Sequence, residues 1–258
     1  ARGCDAVVLV AGSSYRDEGE WIIRAGGDRS TLRLSQHDEQ LIEAVAIANP
    51  ATAVVLMGGS AFVTDTWHDH VPALLMAWYP GMEGGHAVAD LLFGVSSPTG
   101  RLPCTWPSSN NTLPPFRRFA RSIEYGPLHG YRFMEASNQV PAFPFGYGLG
   151  FHPLSWSDPV LESVTEQTAG GFTIQLAVTV TNNATRPGSE VVQAYLAQPL
   201  GSSEDPLLTL VGFTKALVEA ESSTKVSVSV QLAELPEIIC LGANADPNSH
   251  LPITIRTV

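Results

Sequence analysis

The chain has 258 residues, 44% of them hydrophobic and 15% charged, enough apolar mass for one or two packed domains and too much for a disordered chain. Its formal net charge of −11 excludes a nucleic-acid binder built on a clustered basic face and works against adsorption to anionic membranes. No apolar run approaches the ~18–20 residues that span a bilayer, and no charged-then-apolar leader opens the sequence, so no signal peptide is expected.

In chain order, "AVVLVA" (Ala6–Ala11) is a continuous apolar run, as expected for a strand covered on both faces. A charged stretch follows, "SSYRDEGEWIIRAGGDRSTLRLS", with Asp17, Glu18 and Glu20 among Arg16, Arg24 and Arg29. Ser35 and Asp38 form an S-x-x-D capping box, and Leu41, Ile42, Val45 and Ala48 recur at helical spacing until Asn49-Pro50 stops the helix. "ATAVVLMGG" (51–59) and "PALLMAW" (72–78) read as further buried strands. "GGHAVADLLFG" (84–94) reads as a short helix closed by Gly94, and Leu102–Trp106 as a last strand. This β-α-β order predicts a mainly parallel sheet with helices on both faces, whose ligands gather beyond the carboxyl ends of the strands.

Residues 107–155 form a Pro-, Gly- and aromatic-rich crossing, expected to be packed. From about Ser157 the period becomes two: Phe172, Ile174, Leu176, Val178 and Val180 alternate with mostly polar residues, as do Val226, Val228, Val230 and Leu232. An antiparallel β-sandwich is expected. The predicted division is 1–110, an α/β domain, 111–156, a connecting segment packed on it, and 157–258, an all-β sandwich.

Several constellations carry chemistry. Neighbouring carboxylates in Asp17-Glu18-Gly19-Glu20 can raise one another's pKa and leave one as a proton donor, and a solvated loop paired with arginines is an equal alternative. Asp28-Arg29 reads as a turn or as a brace for that loop. His68-Asp69-His70 has metal-ligand content but no third ligand nearby, so no metal and no cofactor is expected. "GGSAF" is not G-x-S-x-G, which makes Ser60 a poor nucleophile, and no phosphate-binding glycine loop occurs. Glu83 precedes a helix and suits its dipole. Trp21, Trp67, Trp78, Tyr79, Tyr125, Tyr131, Phe145 and Tyr147 could stack on sugar rings, and most read as core or interface. The three cysteines, Cys4, Cys104 and Cys240, are far apart, and buried free thiols are expected. Sequons at Asn110 and Asn183 read as chance occurrences.

Four strings in this order, "DEGEW…GGDRSTLRLS", "WYPGMEGGHAVADLLFGVSSPTGRLPCTWP", "PAFPFGYGLGF" and "VTVTNNATRPGSEVVQAYLA…LVGFTKA", resemble the C-terminal portion of glycoside hydrolase family 3, the β-glucosidases, β-xylosidases and related exo-acting enzymes. The likeness covers essentially the whole chain. It implies an α/β sandwich domain followed by a fibronectin type III-like domain. It also implies a carbohydrate substrate, a retaining mechanism, and a partner: a (β/α)₈ barrel carrying a nucleophilic aspartate. The family's acid/base is a glutamate on a loop of the α/β sandwich domain. The matching loop is "YRDEGEW", with Glu18 the first choice and Glu20 the alternate. Asp17 and Trp21 beside them are candidates to touch the sugar. Nothing in the sequence matches the nucleophile motif, so the chain alone is expected to be inactive. A secreted or periplasmic setting follows from the resemblance only. A non-catalytic interaction module stands as the competing reading, with a nucleotide binder behind it.

Overall fold

The computed structural model describes residues 1–18, 29–117, 119–124, 126, 128–198, 207–233 and 253–256. Gly19, Glu20, Trp21, Arg24, Asp28, Tyr125 and Cys240, all singled out above, lie outside the described residues. The chain divides into two compact units, Ala1–Ser96 with Pro103–Phe145, and Ser97–Leu102 with Gly146–Val258. The connecting segment expected over 111–156 is thus shared between them.

In the first unit, β1 (Val7–Gly12) leads into the short helix α1 (Tyr15–Glu18), then α2 (Gln36–Ala48), β2 (Thr52–Met57), β3 (Ala73–Met76), α3 (Gly84–Leu92) and α4 (Gly130–Ala136). The strands form a parallel sheet in the order β1-β2-β3, with Leu9 opposite Val54 and Leu56 opposite Met76. β2 is central, and Val54, Val55 and Leu56 are fully buried, so apolar residues occupy both of its faces as the continuous run requires. β1 departs from that expectation. Leu9 is buried, whereas Val8 and Val10 are 52% and 57% exposed. Side chains alternate across a strand, so the face opposite Leu9 is open among the described residues.

Helix α2 starts as the capping box predicts: Ser35 Oγ accepts the Asp38 N–H at 3.1 Å. Ile42 and Ala46 are buried on its inner face, while Leu41 and Ile47 are exposed. Asn49 ends it. Its buried side chain donates to the carbonyls of Ala1 and Cys4 at 3.2 and 2.7 Å and accepts from the Ala51 N–H at 2.9 Å, fastening the entrance of β1 to that of β2. α3 closes at Gly94, whose φ of 70° suits only glycine readily.

The strand expected at Leu102–Trp106 is replaced by a single antiparallel bridge between Trp106 and Phe143. Pro103 and Pro107 cannot donate to a ladder, which limits pairing to the three residues between them, of which Trp106 makes the bridge. Trp106 is buried against the rings of Phe62, Trp78 and Phe143. The expectation of buried thiols also needs correction: Cys4 is exposed, at the loosely packed chain start, while Cys104 is half-buried and its thiol pKa is raised by burial.

The second unit is antiparallel throughout. β4 (Leu154–Trp156) and β5 (Val160–Glu166) lie in succession along one edge of β6 (Phe172–Asn182), and β9 (Ser222–Leu232) pairs with its other edge. The second sheet has the order β10-β7-β8, from Ile253–Arg256, Gly188–Gln198 and Leu207–Val218. Ile174, Leu176, Val178 and Val180 of β6 and Val226, Val228 and Val230 of β9 bury the period-two face against Val192, Ala194, Leu196 and Val218. At roughly 1.5–3 kcal/mol for each fully buried aliphatic side chain, this alternation is what drives the sandwich together. Asn182 clamps the β6–β7 turn, accepting from Ala184 N–H and donating to the Arg186 and Val218 carbonyls.

In "FPFGYGLG", Gly146 has φ 82°, and a Cβ there would press on the amide of buried Gln193, which itself donates to the Gly146 carbonyl at 3.1 Å. Gly170 has φ 91° but open space around it. Gly146→Ala should lower the unfolding free energy by about 2 kcal/mol or more, and Gly170→Ala by about 1 kcal/mol. Chemical denaturation of both variants measures the difference, and equal losses would contradict the packing argument.

Candidate functional site

The site lies where the carboxyl ends of β1, β2 and β3 come together. Ser13 N–H donates to the Met57 carbonyl at 2.8 Å, Gly58 N–H to Trp78 at 3.2 Å, and Ala77 N–H to Leu56 at 2.8 Å. Gly12 allows this convergence, because a Cβ at that position would collide with the Met57 backbone. Trp78 holds a φ of 55°, an uncommon conformation for a large side chain and a local strain of the kind found at functional sites.

Ser14 caps α1. Its N–H and hydroxyl both donate to Asp17 Oδ2 at 2.7 Å, and its Oγ accepts the Arg16 N–H at 3.3 Å. The Ser14 hydrogen bonds pull the Asp17 pKa below its ordinary value. The Asp17 carboxyl is therefore occupied at the start of the helix, and Glu18 at its end is the carboxylate presented to the neighbouring loops.

Glu18 Oε1 accepts from the Tyr79 hydroxyl at 2.9 Å and, at 3.4 Å, from the Gly59 N–H, while Oε2 lies 3.5 Å from Arg29 Nε. A quarter of the Glu18 side chain is open to solvent, whereas Arg29 keeps only 8%. Arg29 also donates to Ser13 Oγ at 3.1 Å and to Ser60 Oγ, and its guanidinium lies 5.5 Å from the centre of the Phe62 ring. The strand-end loops and α1 are thus fastened through one cation. Nearby, Arg33 pairs with Asp65 at 2.6 Å and Glu39 at 3.4 Å, and Asn110 binds Thr31 and Leu32, so the segment carrying Arg29 is itself held.

The Asp28-Arg29 brace considered from sequence is realised by Arg29; Asp28, with Glu20 and Trp21, lies outside the described residues. His68 Nδ1 bonds the Thr64 carbonyl at 2.9 Å and its Nε2 lies 3.1 Å from Asp69, and no metal-holding group of His, Cys, Asp or Glu forms among the described residues. Glu83 is exposed and pairs with His86 at 2.7 Å, without capping α3. Trp67 is fully buried, and Tyr131 stacks on Phe145 with ring centres 4.9 Å apart. Sequence reasoning did not assign Gly59, Ser13 or Ser60 to the site, nor the hydroxyl of Tyr79 to Glu18. The usable signal was positional: "MGGS" and "AWY" both follow strands that end on the same rim.

Residues 1–151 match the family model described as the glycosyl hydrolase family 3 C-terminal domain, and residues 190–236 match the fibronectin type III-like domain. A beta-glucosidase of Rhizobium radiobacter is 41% identical over 225 residues, which is 83% of this chain and 26% of that protein. A probable beta-glucosidase I of Aspergillus terreus is 34% identical over 239 residues, 90% of this chain and 28% of that protein. The beta-glucosidase of Kluyveromyces marxianus, solved in complex with glucose, superposes with a TM-score of 0.75 at 30% identity over 89% of this chain and 27% of its own. DesR, a beta-glucosidase from Streptomyces venezuelae solved with D-glucose, gives 0.72 at 33% identity over 89% of this chain and 29% of its own. The chain thus spans about a quarter of the length of the curated relatives it matches.

The Tyr79 hydroxyl has its pKa raised above 10.0, first by desolvation and then by the hydrogen bond to Glu18 and its charge. Removing that carboxylate removes two of the causes. Glu18→Gln should therefore shift the ionisation of Tyr79 to lower pH in an ultraviolet titration, and an unmoved curve would contradict the Glu18–Tyr79 contact.

Proposed function

This chain belongs to glycoside hydrolase family 3, as its C-terminal part, and from that premise we propose that it supplies the acid/base carboxyl of a retaining β-glucosidase. The nucleophilic aspartate belongs to a (β/α)₈ barrel domain outside this chain, and the substrate is a terminal, non-reducing β-linked sugar.

The observation that carries the reading is the placement of Glu18. It is fastened at the carboxyl rim of a parallel sheet by Tyr79, Gly59 and Arg29, with a quarter of its side chain still open to solvent. The names of the relatives, beta-glucosidases, supply the reaction class. A retaining mechanism needs two carboxyl groups about 5–5.5 Å apart. In the first step the acid/base gives its proton to the glycosidic oxygen while the aspartate attacks the anomeric carbon, and the alcohol leaves. In the second the same carboxylate takes a proton from water, which displaces the aspartate and releases the sugar with retained configuration. One half of this pair forms no glycosyl-enzyme, so this chain by itself is inactive. Asp17, which also serves the α1 cap, and Trp21, three positions after Glu18 in the sequence, are the candidate sugar contacts.

The ion pair with Arg29 favours a second reading. Glu18 is then the clasp of the loop, and Glu20 is the acid/base. A non-catalytic module that keeps the fold for an assembly is the third.

Single variants in the full-length polypeptide separate these. Glu18→Gln should lower kcat/KM on an alkyl β-glucoside by about 10²–10⁴-fold, and on a dinitrophenyl β-glucoside, whose leaving group needs no proton, far less. On the dinitrophenyl substrate, where loss of the base makes the glycosyl-enzyme accumulate, azide should restore kcat by forming the β-glucosyl azide. The same pattern in Glu20→Gln instead would make Glu18 the clasp, and no effect of either variant would leave only the non-catalytic reading.

A further inference from the structure

A cavity of about 380 Å³ lies wholly within the second unit, lined by parts of "SPTGR" (97–101), by "GLG" (148–150) with His152, by β4 and by the first residues of β7. Its size is that of a small-ligand site. The walls are fastened to one another. Gly148 lies on residues 100–101, where a Cβ would collide with the Gly100 carbonyl, and Phe151 N–H donates to Ser97 Oγ at 3.1 Å. One wall carries the Arg101–Glu190 ion pair, whose side chains keep only 12% and 15% exposure. Both bonds that Glu190 accepts, from Arg101 and from the Val191 N–H, fall on Oε1. Its Oε2 accepts from no group among the described residues, and a largely buried acceptor without a donor is costly to keep. His152 and Ser189 also line the cavity, and their side chains bond to no group among the described residues. Trp156 of β4 adds a half-buried aromatic ring.

The geometry points to this cavity as a binding site for one sugar residue of a neutral carbohydrate chain, held by the β-sandwich unit. The inference does not rest on the acid/base reading above. Arg101 and Glu190 offset each other, so the wall favours neither an anion nor a cation. A purely apolar ligand would leave Glu190 Oε2 without a donor after water is expelled. A sugar meets both demands. Each hydroxyl donates and accepts at once, which suits a carboxylate beside a guanidinium, with the His152 imidazole and the Ser97 and Ser189 hydroxyls as further partners. The apolar C–H face of the sugar ring rests on Trp156. Leu149 and Pro153, both exposed, add apolar surface to the lining. The site holds a sugar and breaks no bond. Retaining hydrolysis needs two carboxyl groups, and Glu190 is the single carboxylate among the lining residues.

The test is electrophoresis of the full-length protein in native gels containing barley β-glucan, xyloglucan, arabinoxylan or galactomannan, with carboxymethylcellulose as the anionic counterpart. At least one of the neutral polymers should retard the unaltered protein. Trp156→Ala should raise the dissociation constant read from the retardation by about tenfold or more. His152→Ala, which breaks no described bond, should raise it about three- to tenfold. Both variants should keep activity on a small aryl β-glucoside within about twofold of the unaltered protein. Trp156 also packs on the sandwich core, so His152→Ala decides alone if Trp156→Ala does not fold. No retardation by any neutral polymer, retardation by carboxymethylcellulose alone, or equal retardation of the variants and the unaltered protein overturns the proposal. A parallel fall in binding and aryl glucoside activity in His152→Ala also overturns it, because the retardation then belongs to the place of hydrolysis. Failure of the acid/base reading is distinguishable, since the glutamate variants then turn over unchanged while this binding persists.

Discussion

A buried guanidinium must be surrounded by acceptors, and Arg29 meets that requirement by drawing the rim of the sheet together. Its planar fork reaches Ser13 after β1, Glu18 at the end of α1 and Ser60 after β2, and its face rests on Phe62. A lysine ammonium would offer a point charge without the fork or the flat face, and could not serve all of these partners at once. The position of Glu18 follows from this one cation, because α1 is too short to hold itself in place.

The sheet explains why the cation sits there. Parallel strands end on one side, and the loops leaving β1, β2 and β3 are forced into the same neighbourhood. Glycine at position 12 lets β1 pass close to Met57, and the left-handed conformation of Trp78, a strain of about 1–3 kcal/mol, turns Tyr79 toward Glu18. The packing of Trp78 against Trp106 and the Gly58 hydrogen bond to its carbonyl hold that strain in place. The β-sandwich unit needs none of this. Its stability comes from the alternating valines, leucines and isoleucines of β6, β7 and β9.

Much of this architecture was legible because its causes are local. The S-x-x-D box at Ser35, the stop at Asn49, the glycine closing α3 and the period-two faces of β6 and β9 each rest on residues a few positions apart. What was not legible depends on distant partners. The exposure of Val8 and Val10 depends on which face is covered, and the collapse of Leu102–Trp106 to one bridge depends on where Phe143 lies. Within the site, the charge cluster and its place on the rim could be read from the chain. The Tyr79, Gly59 and Arg29 contacts to Glu18 span sequence separations of 61, 41 and 11 residues, and no local pattern encodes them. The capping use of Asp17 was encoded locally, in the S-x-x-D spelling at Ser14, but the neighbouring carboxylates obscured it.

The account comes down to whether the carboxylate held by Arg29 is the one that meets the bond being broken. A crystal structure of the full-length protein with a non-hydrolysable thio-linked aryl β-glucoside measures this directly. The account predicts a Glu18 carboxylate oxygen at hydrogen-bonding distance, about 3 Å, from the bridging atom, with Arg29 behind it. Glu18 remaining turned to Arg29 and Tyr79 while another carboxyl group occupies that place would contradict it.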